Sequence, residues 1–315
     1  MTQPAGGTIN RSLTGTVFDV KRFATGDGPG IRTLVFLKGC PLRCLWCANP
    51  ESQSQTPELM FHRSRCVGCG RCIEACPVGA IEADAAGLTT DRRACTACGR
   101  CVSACLYEAR EVIGQTVSVG EILRQIRRDR RFYDRSGGGV TLTGGEPLQQ
   151  CAFSADLLKA CRAEGIHTAM ETCGFAPASC IDAVLPHLNL LYYDLKHIDP
   201  DAHKRLTGQS NESILANLER VARSFVQGTI VIRVPWVPEY NGYEDVLEGI
   251  LDFVSVLPNI DHVEIMPYHR LGAGKYDGLG RRYLLDGRPP VQKPALAHLI
   301  EIGQVRGIRV HIDSE

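Results

Sequence analysis

Residues 118–147 read SVGEILRQIRRDRRFYDRSGGGVTLTGGEP, and this stretch decides how the rest of the chain is read. Ser118 followed by Glu121 is a capping-box pattern, in which two side chains satisfy backbone amides at a helix start. Ile122, Leu123 and Ile126 then repeat at helical spacing, which predicts a helix ending near the glycine run Gly137–Gly139. The run Val140–Thr143 predicts a strand, closed by the turn-forming Gly144-Gly145-Glu146-Pro147. Downstream the alternation recurs, with a helix near Ser154–Arg162 and strands near His167–Glu171, Leu188–Asp194, Thr229–Val234, His262–Met266 and Ile308–Ile312. Together with an early strand at Thr33–Leu37, this makes about six βα units, which implies an α/β fold whose parallel sheet curls into a partial or full barrel. A doubly wound sheet is the competitor. In either architecture chemistry gathers at the carboxyl ends of the strands.

The chain has 315 residues, 44% hydrophobic and 22% charged, enough for one large globular domain and an insert. Its 35 basic and 35 acidic side chains cancel, so no net field gathers polyanions, and nucleic acid is not an expected partner. No apolar run reaches the roughly 18 residues of a membrane span, so no membrane partner is expected either. The start MTQPAGGTIN lacks the basic and apolar regions of a secretion signal, which makes a cytoplasmic chain the expectation.

Fifteen cysteines are many for such a chain, and eleven of them fall between Cys40 and Cys105 in three groups. An intracellular chain dense in cysteine binds metal or performs redox chemistry more often than it forms a disulfide framework. Cys66, Cys69, Cys72 and Cys76, followed by Pro77, have the spacing C-x2-C-x2-C-x3-C-P; Cys95, Cys98, Cys101 and Cys105 repeat it, with Leu106 in place of the proline. This is the bacterial ferredoxin run, in which three close thiolates hold one 4Fe-4S cluster and the fourth reaches the other. By that rule Cys66, Cys69, Cys72 and Cys105 hold one cluster, and Cys95, Cys98, Cys101 and Cys76 hold the second. Zinc is the competing metal, although it usually takes paired hooks instead of triplets. The segment breaks the βα pattern, so residues 59–110 are expected to form an inserted ferredoxin-like domain within a barrel of residues 1–58 and 111–315.

The third group, Cys40, Cys44 and Cys47 in GCPLRCLWCANP, has the spacing C-x3-C-x2-C and no fourth cysteine nearby. Three thiolates on a four-iron cluster leave one iron open to a substrate. With Trp46 as its aromatic, the motif resembles that of the radical S-adenosylmethionine superfamily. Gly28-Pro29-Gly30-Ile31-Arg32, Phe36 and Gly39 precede it and Asn49 follows. That arrangement resembles the signature of glycyl-radical enzyme activating enzymes, the group that includes the pyruvate formate-lyase activating enzyme, from about Thr14 to the C-terminus. The two-cluster insert is similar to that of the longer members, which activate lyases, dehydratases and decarboxylases.

The resemblance implies an S-adenosylmethionine site. Cys40, Cys44 and Cys47 would hold the reactive cluster, making three 4Fe-4S clusters in all, with Trp46 and Ala48 beside the cofactor. Gly144, Gly145 and Glu146 match the motif that contacts the methionine amino group, and glycines there let backbone approach a ligand closely. Asp194 and Lys196 stand two apart on a strand and so share a face, where a carboxylate and an ammonium can hold a zwitterion. By resemblance Glu171, Thr172 and Asp194 match a monovalent-cation site, although Asp is commoner where Glu171 stands. Arg233 and His269 match further positions lining the pocket. Cys151, Cys161 and Cys180 read as small apolar residues, and Cys173 carries no assigned role.

The implied reaction is reductive cleavage of S-adenosylmethionine to methionine and a 5'-deoxyadenosyl radical, which takes hydrogen from a backbone glycine of a partner glycyl-radical enzyme. A flavodoxin or ferredoxin would supply electrons, and the insert would relay them or serve as a docking surface. Two rivals stand: a radical S-adenosylmethionine enzyme acting on a small molecule, and an electron-transfer protein whose working part is the insert.

Overall fold

The structure, a computed structural model, describes residues 8–85 and 87–313. Residues 1–7, on which the reading of a secretion signal largely rests, lie outside the described residues. Its strands are β1 (Thr14–Ala24), β2 (Arg32–Leu37), β3 (Glu58–Phe61), β4 (Ile81–Asp84), β5 (Gly87–Thr90), β6 (Arg110–Ile113) and β7 (Gln115–Ser118). There follow β8 (Gly139–Gly144), β9 (His167–Thr172), β10 (Leu190–Asp194), β11 (Thr229–Trp236), β12 (Ile260–Pro267) and β13 (Val310–Ile312).

The main sheet runs β13-β12-β11-β10-β9-β8-β2-β1-β7. From β2 through β13 every neighbouring pair is parallel, whereas β1 pairs antiparallel with both β2 and β7. A doubly wound sheet reverses its strand order at a switch point; among the parallel strands, β13 through β2, this order never reverses, so they are wound one way. The strands lie within a few residues of their expected positions. β1 was not anticipated, because Asp19, Lys21 and Arg22 interrupt its apolar alternation.

Period-two alternation gives the sheet two unlike faces. Val35, Leu142, Met170, Tyr193, Ile232 and Ile265 point outward into the main core beneath the helices. Each such burial contributes about 1.5–3 kcal/mol. The other face holds a small apolar layer of Ala169, Leu190, Tyr192 and Val231, and beyond it the polar Arg32, Thr141, Glu171 and Arg233. Arg32 is fully buried, donating to Thr141 Oγ1 at 2.7 Å, to Val140 O at 2.6 Å and to Pro29 O at 3.1 Å. Burial lowers its pKa to about 10. The same burial, with the Arg32 charge beside it, lowers His167 to about 4 and keeps that ring neutral.

The capping box at Ser118 is present, with Glu121 accepting from the Ser118 amide at 2.7 Å. The expected single helix is instead two, Val119–Arg127 and Arg130–Ser136, the second ending at Gly137 with φ 71. The break falls at Asp129, whose buried carboxylate turns inward to accept from Arg22 Nε at 2.8 Å and Thr33 Oγ1 at 3.0 Å.

Between β2 and β8, β3 and β6 pair antiparallel and bracket a compact segment. It holds two similar one-turn helices, Arg71–Glu74 and Arg100–Ser103, preceded by Gly70 (φ 74) and Gly99 (φ 77), and the hairpin β4–β5. Its core is small, with Cys72 and Cys101 buried among Leu59, Phe61, Ile81 and Leu88.

Replacing Asp129 by Ala is expected to cost about 2 kcal/mol in urea denaturation at neutral pH. Arg22 chiefly holds the carboxyl below its ordinary pKa, so its contribution is complete above about pH 4 and disappears as pH falls through the depressed value. A loss of equal size on both sides of that range would contradict the ion pair's role.

Candidate functional site

At the carboxyl ends of the parallel strands lies a cavity of about 390 Å³. The loop after β2 supplies Cys40, Cys44, Trp46, Cys47 and Ala48 to its wall. Backbone bonds hold this loop: the Arg43 amide donates to Thr207 O at 2.6 Å, and the Leu45 amide to Leu206 O at 3.1 Å. Trp46 packs against the aromatic group of Tyr268, Tyr276 and Tyr283. Enclosure raises all three cysteine pKa values, that of Cys44 to about 12. Thiols so disposed stay protonated and make poor nucleophiles, but a bound metal deprotonates a ligating thiol outright. Cys40, Cys44 and Cys47 line one cavity wall, a donor set of three thiolates that would suit an iron-sulfur cluster.

Gly144 and Gly145 form the wall beside this loop. The Gly145 amide donates to Leu37 O and the Glu146 amide to Gly39 O, both at 2.8 Å. A Cβ on Gly145 would stand 2.4 Å from Gly39 O, so only glycine fits. Glu146 is fully buried and is not part of the wall. Its carboxylate accepts from Leu148 N at 2.9 Å, Thr172 Oγ1 at 2.8 Å and Cys173 N at 2.7 Å. Burial pushes its pKa up, partly offset by hydrogen bonds from Cys173, Leu148 and Thr172. Cys173 lines the cavity near Cys40, but its thiol hydrogen-bonds Glu146.

Asp194 and Lys196 both reach the wall, with Nζ 2.9 Å from the carboxylate. Burial alone would lower the lysine pKa, but Asp194, with Cys44 and Cys173, outweighs it and raises the pKa. His269, exposed at the rim just after β12, also lines the cavity, and burial of its ring lowers its pKa below the usual 6.5.

Arg233 does not line the cavity. It lies over the Tyr192 ring, 3.7 Å from its centroid, donating to Asp27 at 2.8 Å, Glu171 at 2.7 Å and Glu264 at 2.7 Å. Burial, and then the neighbouring Asp27 charge, raises the Glu171 pKa, against the opposing pull of Arg233. Glu171 also accepts from Thr143 Oγ1, and Thr172 donates to Glu146. All three residues expected at a cation site, Glu171, Thr172 and Asp194, thus have protein partners. Sequence reasoning missed Asp27 and Glu264. The alternation of β12, paired with Arg233 in register, was the available signal for Glu264.

In the segment between β3 and β6, two hollows divide the eight cysteines. One is lined by Cys66, Cys69, Cys72 and Cys105, the other by Cys76, Cys95, Cys98 and Cys101. Arg110, 2% exposed, lines the first hollow, donates to Thr90 Oγ1 at 3.0 Å, and leaves Nη2 buried without a partner.

A family model of the radical SAM superfamily matches residues 34–253. The (2S)-3-sulfopropanediol sulfolyase activating enzyme of Bilophila wadsworthia is 45% identical over 282 residues, 89% of this chain and 93% of that protein. The trans-4-hydroxy-L-proline dehydratase activating enzyme of Clostridioides difficile is 42% identical over 289 residues, 91% of this chain and 94% of that protein. A solved radical SAM methyltransferase from Sphaerobacter thermophilus shares the fold at TM-score 0.51 and 16% identity, over 90% of this chain and 66% of that one. The mostly parallel sheet and the cysteine loop at its carboxyl edge are those of a radical SAM protein. Within that superfamily the chain belongs to the glycyl-radical enzyme activating enzymes.

Lys196→Met is expected to weaken S-adenosylmethionine binding to the reconstituted protein at least about tenfold in calorimetry, by removing a charged partner of a carboxylate. Because the lysine pKa is raised, the ratio of wild-type to Lys196→Met affinity should be flat from about pH 6 to about pH 9, whatever the cofactor's own amino group does. A change in that ratio within the range would place the binding charge elsewhere.

Proposed function

We propose that this chain activates a partner glycyl-radical enzyme, the insert serving as its electron supply. The observation that carries this reading is that Cys40, Cys44 and Cys47 share one cavity with the Gly144-Gly145 backbone and the Asp194–Lys196 pair. When bound, a 4Fe-4S cluster there supplies one electron to S-adenosylmethionine, and the resulting 5'-deoxyadenosyl radical takes hydrogen from a backbone glycine of the partner. The chain's own residues bind, orient and shield. Asp194 answers the cofactor's ammonium and Lys196 its carboxylate, while Gly144 and Gly145 bring peptide groups close. Trp46 and Ala48 form the wall beside the cysteines, and His269 lies at the rim, where a ribose would sit. Arg233 acts from beneath, holding Glu171 and Glu264 in place. Its guanidinium supplies a positive charge beside Glu171.

Residues 59–110 form, in this reading, a ferredoxin-like domain inserted in a partial barrel of residues 1–58 and 111–315, and carry two further 4Fe-4S clusters. The way each hollow gathers three cysteines of one run and the fourth of the other supports it. So does Arg110, whose unpartnered buried N–H would find an acceptor in an anionic cluster. A flavodoxin or ferredoxin is the donor this arrangement suits, and the cytoplasm, which keeps thiols reduced, the setting. The small-molecule and electron-carrier rivals fit less well, because relatives matching nearly the whole chain are named activating enzymes.

Anaerobically reconstituted protein, reduced with dithionite and given S-adenosylmethionine, should contain about twelve irons per chain and form 5'-deoxyadenosine. Cys44→Ala should retain about eight irons and form none, and the Cys69→Ala, Cys98→Ala double variant should keep the reactive cluster. Deoxyadenosine from Cys44→Ala would overturn the site assignment. About four irons in the wild type would remove the auxiliary clusters while leaving the reactive site intact.

A further inference from the structure

The two hollows of residues 59–110 are built alike but are joined to the reactive loop differently. Leu59 lines the hollow of Cys76, Cys95, Cys98 and Cys101. Arg92, which lies within electrostatic reach of Cys95, donates to Leu59 O and, at 2.8 Å, to Gly278 O. Glu58, the residue before Leu59, accepts from Arg281 Nη2 at 2.6 Å. Arg281 Nη1 in turn donates to Pro50 O at 2.7 Å and reaches Gln53 Oε1 at 3.4 Å. The Gln53 side chain hydrogen-bonds the Cys47 thiol. Covalent and hydrogen bonds therefore run without interruption from this hollow to a ligand of the reactive cluster. The segment carrying Arg281 is itself fastened to the cysteine loop, because Lys275 donates to Asn49 at 2.8 Å and to Glu51 at 2.6 Å.

The other hollow meets the same strand two residues further from Glu58, at Phe61, and its own polar link is weak. Arg63 reaches Leu88 O, in its wall, at 3.4 Å and Asp277 at 3.3 Å, and both members of that ion pair are largely exposed. Its lining includes exposed Val67 and Tyr107, whereas among the described residues the hollow of Cys76, Cys95, Cys98 and Cys101 has only Val78 as a large exposed apolar side chain.

We propose that the group held by Cys76, Cys95, Cys98 and Cys101 is the immediate electron donor to the Cys40 loop, and that the group held by Cys66, Cys69, Cys72 and Cys105 is the outer port. This rests on the reading that both hollows hold 4Fe-4S clusters. Each transfer moves one electron and no atoms. A low-potential one-electron protein donor reduces the outer cluster, which is reoxidised as the inner one is reduced. The inner cluster is reoxidised as the reactive cluster passes from its 2+ to its 1+ state. Arg281 is a positioning residue that keeps Glu58 and the cysteine loop in contact.

The test uses full-length reconstituted wild type, Cys69→Ala and Cys98→Ala, with iron and EPR first establishing which clusters each retains. Each is photoreduced completely, freed of reductant, given S-adenosylmethionine and frozen over time. Cys69→Ala should discharge its remaining auxiliary cluster and form about two deoxyadenosines per chain. Cys98→Ala should form about one, its outer cluster staying reduced in the EPR spectrum at least about tenfold longer. Equal discharge in the two variants, or faster discharge in Cys98→Ala, would overturn the order. Arg281→Met leaves every cysteine in place and covers the case in which a cysteine variant fails to fold. It should slow inner-cluster discharge about tenfold with all three potentials unchanged, and Arg281→Lys should restore part of the rate. Unchanged discharge in Arg281→Met would overturn the pathway. A wild type with about four irons would instead be a failure of the two-cluster reading.

Discussion

One buried carboxylate holds the site together. Glu146 accepts hydrogen bonds from Leu148, Thr172 and Cys173, and its own amide donates to Gly39 O. An unpartnered carboxylate in this position would be prohibitively costly, so the chain must bring β8, β9 and the loop after β2 together at one point. Gly145 then packs against the Gly39 carbonyl, which fixes the start of the cysteine loop relative to the strand that presents Gly144. Asp194, the last residue of the next strand, and Lys196 just beyond it complete the floor on which a zwitterion can rest.

Beneath that floor the inner face of the sheet is ionic, unlike the branched apolar filling common in barrels. Arg233 is surrounded by the carboxyl groups of Asp27, Glu171 and Glu264. Such a network is a poor source of net stability, but every member is hydrogen-bonded, and the partners come from the loop at Asp27 and from strands β9 and β12. It therefore specifies how these elements meet. Deformation of the loop that carries Asp27 would be felt at the strands that bear the site.

What the sequence disclosed follows the range over which its signals act. Cysteine spacing, the Ser118–Glu121 box and the closeness of Asp194 to Lys196 are local. The box forms, the two cysteine runs divide between two hollows, and Asp194 and Lys196 share a cavity wall although the strand ends at Asp194. The bend at Asp129 needs Thr33, 96 residues away, and the pairing of Arg233 with Asp27 spans 206 residues. Neither could be read from a neighbouring residue. Glu146 shows the same limit within a recognised motif: its position was marked, but its role as a buried acceptor depends on Thr172 and Cys173, on another strand.

The two kinds of cysteine site depend on metal differently. In the reactive loop, Arg43 and Leu45 are pinned by the backbone of Leu206 and Thr207, and Asn49 is held by Lys275. These bonds shape the loop without recourse to its thiols, which leaves the cysteines free to spend their bonding on a cluster with an open iron. In residues 59–110 the cysteines are themselves core: Cys72 and Cys101 are buried with Leu59, Phe61, Ile81 and Leu88 in a cluster too small to stabilise some fifty residues alone. There the proposed metal groups, with four cysteines lining each hollow, would complete the fold as well as carry electrons.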